Sequence, residues 1–516
     1  MKLSPRLRTT LRRIGATTSA LAVLTGVTAV VGAGYLRPAP TSEPVAAPEV
    51  TVGAGPISLV CAGPPRITTD DAGNDIAYDE EFGPSPAGVA TLVEGVVVGR
   101  EGQAPGPASS GALGSADRQD VTVAGEAGFV SASEVTSPSV LVAQPSDDVA
   151  ALAAGATLAR SDTGDLRGLV AASCQAPSST IWLVGGMTAL GSSARLTLTN
   201  PGDTPVTATL AAWGATGPVE SGAAVVVPPG QARVVLLETL SLEPRIAVRV
   251  DAEGGRITAS VQDSELRGVV PAGVDIVTAT ADPSTEVTIG PVPLIDVAPA
   301  DADPSVVRLV NPNKEAATVS VSLLGPGGEL ALPGAQGQVL EPGTVTDISL
   351  AGVAAGSYTV RVTSDQPVTG AVMLTRVGQP GEIDPDQPVL DRAWLSAAVP
   401  VQHGLVSVPG AGSLVEGAGL AVTNPSQAEE QVTLRTIQPT GEAGEPITVA
   451  VAAGTTVTIG QLLDLTGAVA VEVSGEWVLA SVALTAEVPD GQLLAMLGTT
   501  ADPDLQQSVT VRLGTS

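Results

Sequence analysis

The sequence predicts an all-β chain: tandem antiparallel β-sandwich modules of immunoglobulin-like type, behind one N-terminal transmembrane helix. Three observations predict it. The composition is rich in turn formers and poor in rings, with 59 Gly, 42 Pro and only 2% aromatic residues among 516. A threefold Asn-Pro repeat recurs at the length of a small β-sandwich. A basic N-terminus runs into a long uncharged segment.

Apolar residues make up 44% of the chain and charged residues 15%, which does not fit a highly charged disordered polymer. The apolar content is mostly Ala, Val and Leu. Cores built from small branched side chains suit thin sheets better than helical bundles. Frequent Gly and Pro imply many short strands.

Residues 1–13 hold Lys2, Arg6, Arg8, Arg12 and Arg13 and no acid. Residues 14–36 follow as 23 uncharged, mostly apolar positions. Cationic residues before an apolar run orient the N-terminus inside and the remainder outside. The run exceeds the ~7–15 apolar residues of a cleaved signal and matches a bilayer core of ~30 Å. A single-pass signal-anchor is therefore expected, with secretion after cleavage as the alternative. A Pro-rich linker, 37–50, leads outward.

Cys61 and Cys174 are the two cysteines. In an exported chain such a pair is most simply one disulfide. It would staple an N-terminal β module over 51–175.

The repeat follows. Its copies read ARLTLTNPGDTPVTATLAAWG from Ala194, VVRLVNPNKEAATVSVSLLG from Val306 and AGLAVTNPSQAEEQVTLRT from Ala418. Their turns are Asn200-Pro201, Asn311-Pro312 and Asn424-Pro425, spaced by 111 and 113 residues. Proline removes an N–H and biases the preceding Asn away from helix, so each pair ends a strand. Apolar residues two apart on both sides describe hairpins with one buried face. A later V-x-V strand (Val248/Val250, Val360/Val362, Val471/Val473) points inward, with Arg249, Arg361 and Glu472 outward. Each copy closes with ITASV (257–261), VTGAV (368–372) or VLASV (478–482). The repeats are placed at 176–270, 271–385 and 386–516, the last with a C-terminal tail. LRGLV (166–170) and LRGVV (266–270) are near-identical strands that could close one module or open the next.

The repeats resemble bacterial surface β-sandwich modules. The layout as a whole resembles an uncharacterised actinobacterial family of exported, membrane-anchored all-β proteins. The resemblance rests on the basic N-terminus, one membrane segment, Leu59-Val60-Cys61-Ala62-Gly63-Pro64, and Cys174 before Ile181-Trp182. It implies a place in the envelope of a high-GC Gram-positive bacterium and supplies no catalytic residues.

Five of the 24 basic residues precede the apolar run, leaving 19 against 53 acidic ones. So negative a surface repels nucleic acid and anionic headgroups. Catalytic patterns are not evident. The single histidine, His403, would have to serve any Ser-His-Asp relay, and reads as an exposed or half-buried residue beside a turn glycine. The two lysines, Lys2 and Lys314, lie outside any Gly-rich phosphate loop. Asp70, Asp71, Asp75, Asp79, Glu80 and Glu81 are dense enough for Ca²⁺ but lack the loop spacing, so a solvated acidic loop is expected over Asp70–Glu81. The segment 99–120 reads as a mobile loop. Trp182, Trp213, Trp394 and Trp477 are assigned to packing. No cofactor or metal is expected.

The resulting expectation is a non-enzymatic structural or interaction protein of the envelope, contacting envelope proteins or wall polymers. A carboxylate-type glycan-processing hydrolase and a surface adhesin or substrate-capture module are the alternatives.

Overall fold

The computed structural model describes residues 5–35, 54–67, 88–100, 102–146, 149–220, 224–298, 302–380, 384–410, 412–460 and 462–503. The acidic stretch Asp70–Glu81 and the linker 37–50 lie outside the described residues. The chain divides into two compact units, one holding an N-terminal helix and one spanning Gly53–Gln507.

The helix runs Pro5–Tyr35. Its segment Gly15–Ala33 has 19 residues and a mean hydropathy of 1.6, long enough to cross a bilayer core of ~30 Å at ~1.5 Å per residue. Its threonines do not spoil that property. Thr17 Oγ1 donates to Arg13 O at 2.9 Å and Thr28 Oγ1 to Leu24 O at 2.8 Å, so the hydroxyls are satisfied within the helix.

The second unit is all-β, and its described pairings between strands are antiparallel. Hydrogen bonding groups it into four units covering about residues 57–173, 180–277, 284–396 and 401–501, with two separate sheets in each of the first two and, in each of the last two, two layers joined into one eight-stranded sheet by a shared strand. In the first, Ile57–Cys61, Ser139–Ala143, Ala108–Ala112 and Gln119–Asp120 form one sheet. Thr122–Ala124, Ala127–Ser133, Ala90–Val98, Leu152–Ser161 and Gly168–Ser173 form the other. In the second, Thr180–Val184, Ala247–Glu253 and Val206–Trp213 face Gln231–Leu236, Ser192–Asn200, Thr258–Arg267 and Val270–Val277. The strand order is the same in both, so the first unit is a fourth copy that lacks the Asn-Pro mark.

The loop expected over 99–120 instead carries strand Ala108–Ala112, paired with Ser139–Ala143. Its Ala, Ser and Gly residues give no apolar alternation. Val140 and Leu141 of the partner strand supply the buried surface.

Alternation elsewhere follows the pleat. Val248, Val250, Val360, Val362, Val471 and Val473 are all buried. In the second unit the V-x-V strand and the closing ITASV strand are separate, broken at Gly254 (φ +91°). In the third and fourth they fuse into single long strands, Gly356–Pro380 and Ala470–Val488, that take part in both layers.

The LRGxV ambiguity is resolved by pairing. Gly168–Ser173 returns on Leu152–Ser161 and Val270–Val277 returns on Thr258–Arg267, so each closes its own unit. The second hairpin straddles residue 270. Pro388–Ser396 likewise pairs with Gly356–Pro380, across 385/386. Together with Gly491–Gly498, these four closing strands pack as a ring: first on second, second on third, third on fourth, fourth on first. The arrangement is propeller-like. Closure explains why these strands are buried along nearly their whole length, charged Asp275, Asp391 and Arg392 included, since both of their faces are covered. Pro388–Ser396 is buried from Val389 through Leu395.

Candidate functional site

The Asn-Pro turns are structural clamps. Asn200, Asn311 and Asn424 are fully buried. Asn200 Nδ2 donates to Thr204 O at 2.8 Å and Val227 O at 3.0 Å, and its Oδ1 accepts Gly202 N at 2.9 Å. Asn311 binds Glu315 O, Leu340 O and Asn313 N in the same way, at 2.9, 3.0 and 3.1 Å. Asn424 binds Ala428 O, Val451 O and Ser426 N at 2.7, 2.9 and 2.9 Å. One amide thus closes a turn and ties it to a neighbouring strand. Pro201, Pro312 and Pro425 sit just outside each strand end.

Each unit also ties its opening strand to the segment that leaves it. In the first unit Cys61 and Cys174 form a disulfide, and Gln175 N donates to Val60 O at 2.8 Å. In the second, Thr280 N donates to Trp182 O at 2.8 Å. In the third, Ala398 N donates to Thr288 O at 3.0 Å. In the fourth, Asp502 N donates to His403 O at 2.9 Å, and the side chains of the same two residues pair.

His403 lies on strand Val401–Ser407 and is far from the bland residue expected. Its Nδ1 meets Asp502 Oδ2 at 2.7 Å and its Nε2 meets Glu472 Oε1 at 2.8 Å. Asp502 also receives Arg100, whose Nη1 lies 2.5 Å from Oδ2. Glu472 receives Arg435 at 2.7 Å, and Arg435 Nη1 reaches Glu126 at 2.6 Å. The chain Glu126–Arg435–Glu472–His403–Asp502–Arg100 therefore begins and ends in the first unit and passes through the fourth. Of these, Arg100, His403, Arg435 and Glu472 line a cleft of about 540 Å³ with Gln103 and Ser146.

The electrostatics follow from the pairing. Hydrogen bonds to Asp502 and then Glu472 push the His403 pKa up to about 9, against burial. Burial acts to raise Glu472, but His403 and Arg435 outweigh it and hold the carboxyl below its usual range. The imidazole is thus cationic at neutral pH, with a carboxylate at each nitrogen. A general base for a serine needs a free ring nitrogen facing the nucleophile. Here neither is free, so the group is arranged to hold a proton and fix two units together.

Buried charge also collects at the ring of closing strands. Asp391 Oδ2 accepts Leu494 N at 2.7 Å, and Asp275 Oδ2 accepts Trp394 N at 2.6 Å. Trp394 Nε1 donates to Asp263 at 2.9 Å, and the Arg308 guanidinium lies 5.0 Å from the Trp394 ring. Burial pushes Asp391 up to about 7, against backbone donors and Arg167, and raises Asp275 and Asp263 as well. These carboxyls are 0–2% exposed. Asp391 and Asp275 serve backbone N–H groups of adjoining strands, and Asp263 the Trp394 indole, rather than an open cleft. A Cβ at Gly168 would stand 2.9 Å from Asp391 Oδ1, so glycine makes room for the carboxyl.

Two outward assignments and one packing assignment change in the folded chain. Arg361 is buried, because its Nη2 donates to the carbonyl of Pro425 in the next unit. Glu472 is drawn in by His403 and Arg435. Trp477 is 51% exposed rather than packed. Among the described residues no cluster of three or more His, Cys, Asp or Glu could hold a metal.

Fold and site together define an all-β chain with an apolar N-terminal helix, one disulfide and a charge-locked seam. The chain belongs to a family of unknown function, DUF5719, which matches residues 129–461. The match includes His403 and the three Asn-Pro turns, and stops short of Glu472, Trp477 and Asp502. No curated protein matches the chain.

Proposed function

We propose that the chain is a non-enzymatic structural or interaction protein of a bacterial envelope, of actinobacterial type, anchored by Pro5–Tyr35. Its N-terminus lies inside and its acidic β body outside, where it contacts envelope proteins or wall polymers. Each two-layered unit is read as an immunoglobulin-like sandwich serving as a rigid building block.

The observation that carries this reading is the manner of closure. Four like units are tied at their exits by a disulfide, backbone bonds and an ion pair, and the single histidine is used in that closure. A disulfide of this kind suits an oxidising compartment, and the apolar helix behind five cationic residues suits export with the N-terminus retained.

The test is cross-linking in intact cells with tagged full-length protein, followed by mass spectrometry. A recurring, near-stoichiometric membrane or wall-synthesis partner supports the interaction reading, and wall glycan alone supports a wall-binding spacer. Recovery in the cytoplasm with reduced cysteines would sink it.

A further inference from the structure

Trp182, Trp213 and Trp394 are 5, 8 and 3% exposed, but Trp477 is 51% exposed. Its position is built. The backbone N–H of Trp477 donates to Glu430 Oε1 at 2.7 Å. Two residues earlier, a Cβ on Gly475 would meet Val478 at 2.5 Å and Glu430 at 2.9 Å. The bend that presents the indole therefore requires glycine.

The ring walls a groove of about 430 Å³ between the third and fourth units, with Asp282, Glu286, Pro400, Pro425 and Ser426. That volume is within the range of small-ligand sites. Its charge is specific. Glu286 lies 3.6 Å from Arg361 Nε, and it shares that guanidinium with Glu329 at 2.9 Å. Asp282 is exposed and makes no hydrogen bond or ion pair with any described residue, so its carboxylate faces solvent at the groove. With a formal net charge of −29 on the chain, an anionic ligand is repelled.

A peptide would ordinarily use the sheet edge here through main-chain bonds. That edge is already covered at Thr288: Ala398 N donates to its carbonyl at 3.0 Å, and its hydroxyl donates to Ala398 O at 2.8 Å. Recognition therefore falls to side chains. What they offer is a flat indole, two proline faces and the Asp282 carboxylate, since the Ser426 hydroxyl is taken up by Ala428 in its own turn. The complement is a ring with an apolar face, hydroxyl donors at its rim and no negative charge.

We propose that this groove binds an uncharged oligosaccharide, with Trp477 stacked on a sugar ring and Asp282 accepting its hydroxyls. The inference deepens the envelope reading above, and rests on it, by naming a neutral wall glycan as the partner class.

The test uses full-length protein in lipid nanodiscs, titrated with maltotetraose, cellotetraose and mannotetraose while tryptophan emission is followed. A Lys/Pro-rich decapeptide is titrated in parallel. The expected result is a saturable blue shift with at least one tetrasaccharide. Trp477→Ala should abolish the shift and weaken calorimetric affinity at least tenfold. Asp282→Asn should weaken it at least threefold, and both variants should keep the wild-type Tm. No binding to any tetrasaccharide overturns the proposal, as does equal binding by Trp477→Ala, or Trp477-dependent binding of the peptide alone. Retention on isolated envelopes, measured alongside, separates the two readings. Retention without tetrasaccharide binding sinks the groove and keeps the envelope role. Tetrasaccharide binding without retention does the reverse.

Discussion

The first and fourth units solve one problem with opposite chemistry. Both must hold an opening strand against the segment that leaves the unit. The first does so with the Cys61–Cys174 disulfide across 113 residues. The fourth does so with His403 and Asp502, an ion pair extended by Arg100 back to the first unit. One tie is covalent and indifferent to pH; the other needs a proton. The lesson is that equivalent positions in a repeat can keep the geometry while exchanging the bond type. Reductant should loosen the first tie and alkali the last.

The largest expected effect breaks the covalent side. Replacing Cys61 and Cys174 together by Ala should lower stability by roughly 4–5 kcal/mol as an upper figure, from restored loop entropy in the unfolded chain. Denaturant titration with and without reductant checks it. A loss no larger than that of a seam variant would erase the contrast.

Next come the Asn clamps that the first unit lacks. Asn311→Ala removes five buried or part-buried side-chain hydrogen bonds, to the carbonyls of Glu315, Leu340 and Glu341 and to Asn313, costing about 2–4 kcal/mol. Asn311→Asp should be no better, because it presents a carboxylate to the carbonyls of Glu315 and Leu340. Thermal melts of the two variants read this directly.

His403→Gln sharpens the seam side. The folded pKa of about 9 lies above the unfolded value of ~6.5. The contribution is therefore full below about pH 6.5 and is lost as pH rises through about 9. Discounted for solvent screening at a partly exposed group, it amounts to about 1–2 kcal/mol. Wild-type Tm should fall between pH 6.5 and 9, and the variant should show a flatter profile. Parallel profiles would remove His403 from the seam's energetics.

The smallest effect concerns Asp391. Its folded pKa of about 7 is raised above the unfolded ~3.9, so stability is highest with the carboxyl neutral and declines as pH rises toward 7. Asp391→Asn keeps an acceptor for Leu494 N without the charge. It should gain on the order of 1 kcal/mol above pH 7 and nothing near pH 4. A loss at high pH would show that the attraction of Arg167 outweighs burial.

The all-β character, the strand alternation and the Asn-Pro turns were legible because they are local. A V-x-V pattern or an Asn before Pro constrains its own few residues. The disulfide was legible because only one pairing exists. The fourth copy was not, since the first unit has Gly99-Arg100 where the others have Asn-Pro, and its Ala108–Ala112 strand lacks apolar alternation. The seam was illegible for a different reason. Glu472 sits at the same strand position as Arg249 and Arg361, and its pairing depends on His403, 69 residues away. A lone histidine in a chain of 516 was the only available hint.

The seam joins residues 402 positions apart, and that separation carries a kinetic consequence. Three of the four joints in the ring are crossed by the continuous chain, so each can form as its two neighbours emerge. The joint between the last and first units must wait for Asp502. Synthesis from the N-terminus therefore leaves Arg100 without the Asp502 carboxylate, and Glu126 without Arg435, until most of the body has been made. During that interval the partly built ring leaves uncovered the part of its first closing strand on which Gly491–Gly498 packs, and a protein delivered as a growing thread would be most open to chaperones and proteases just before residues 491–502 arrive.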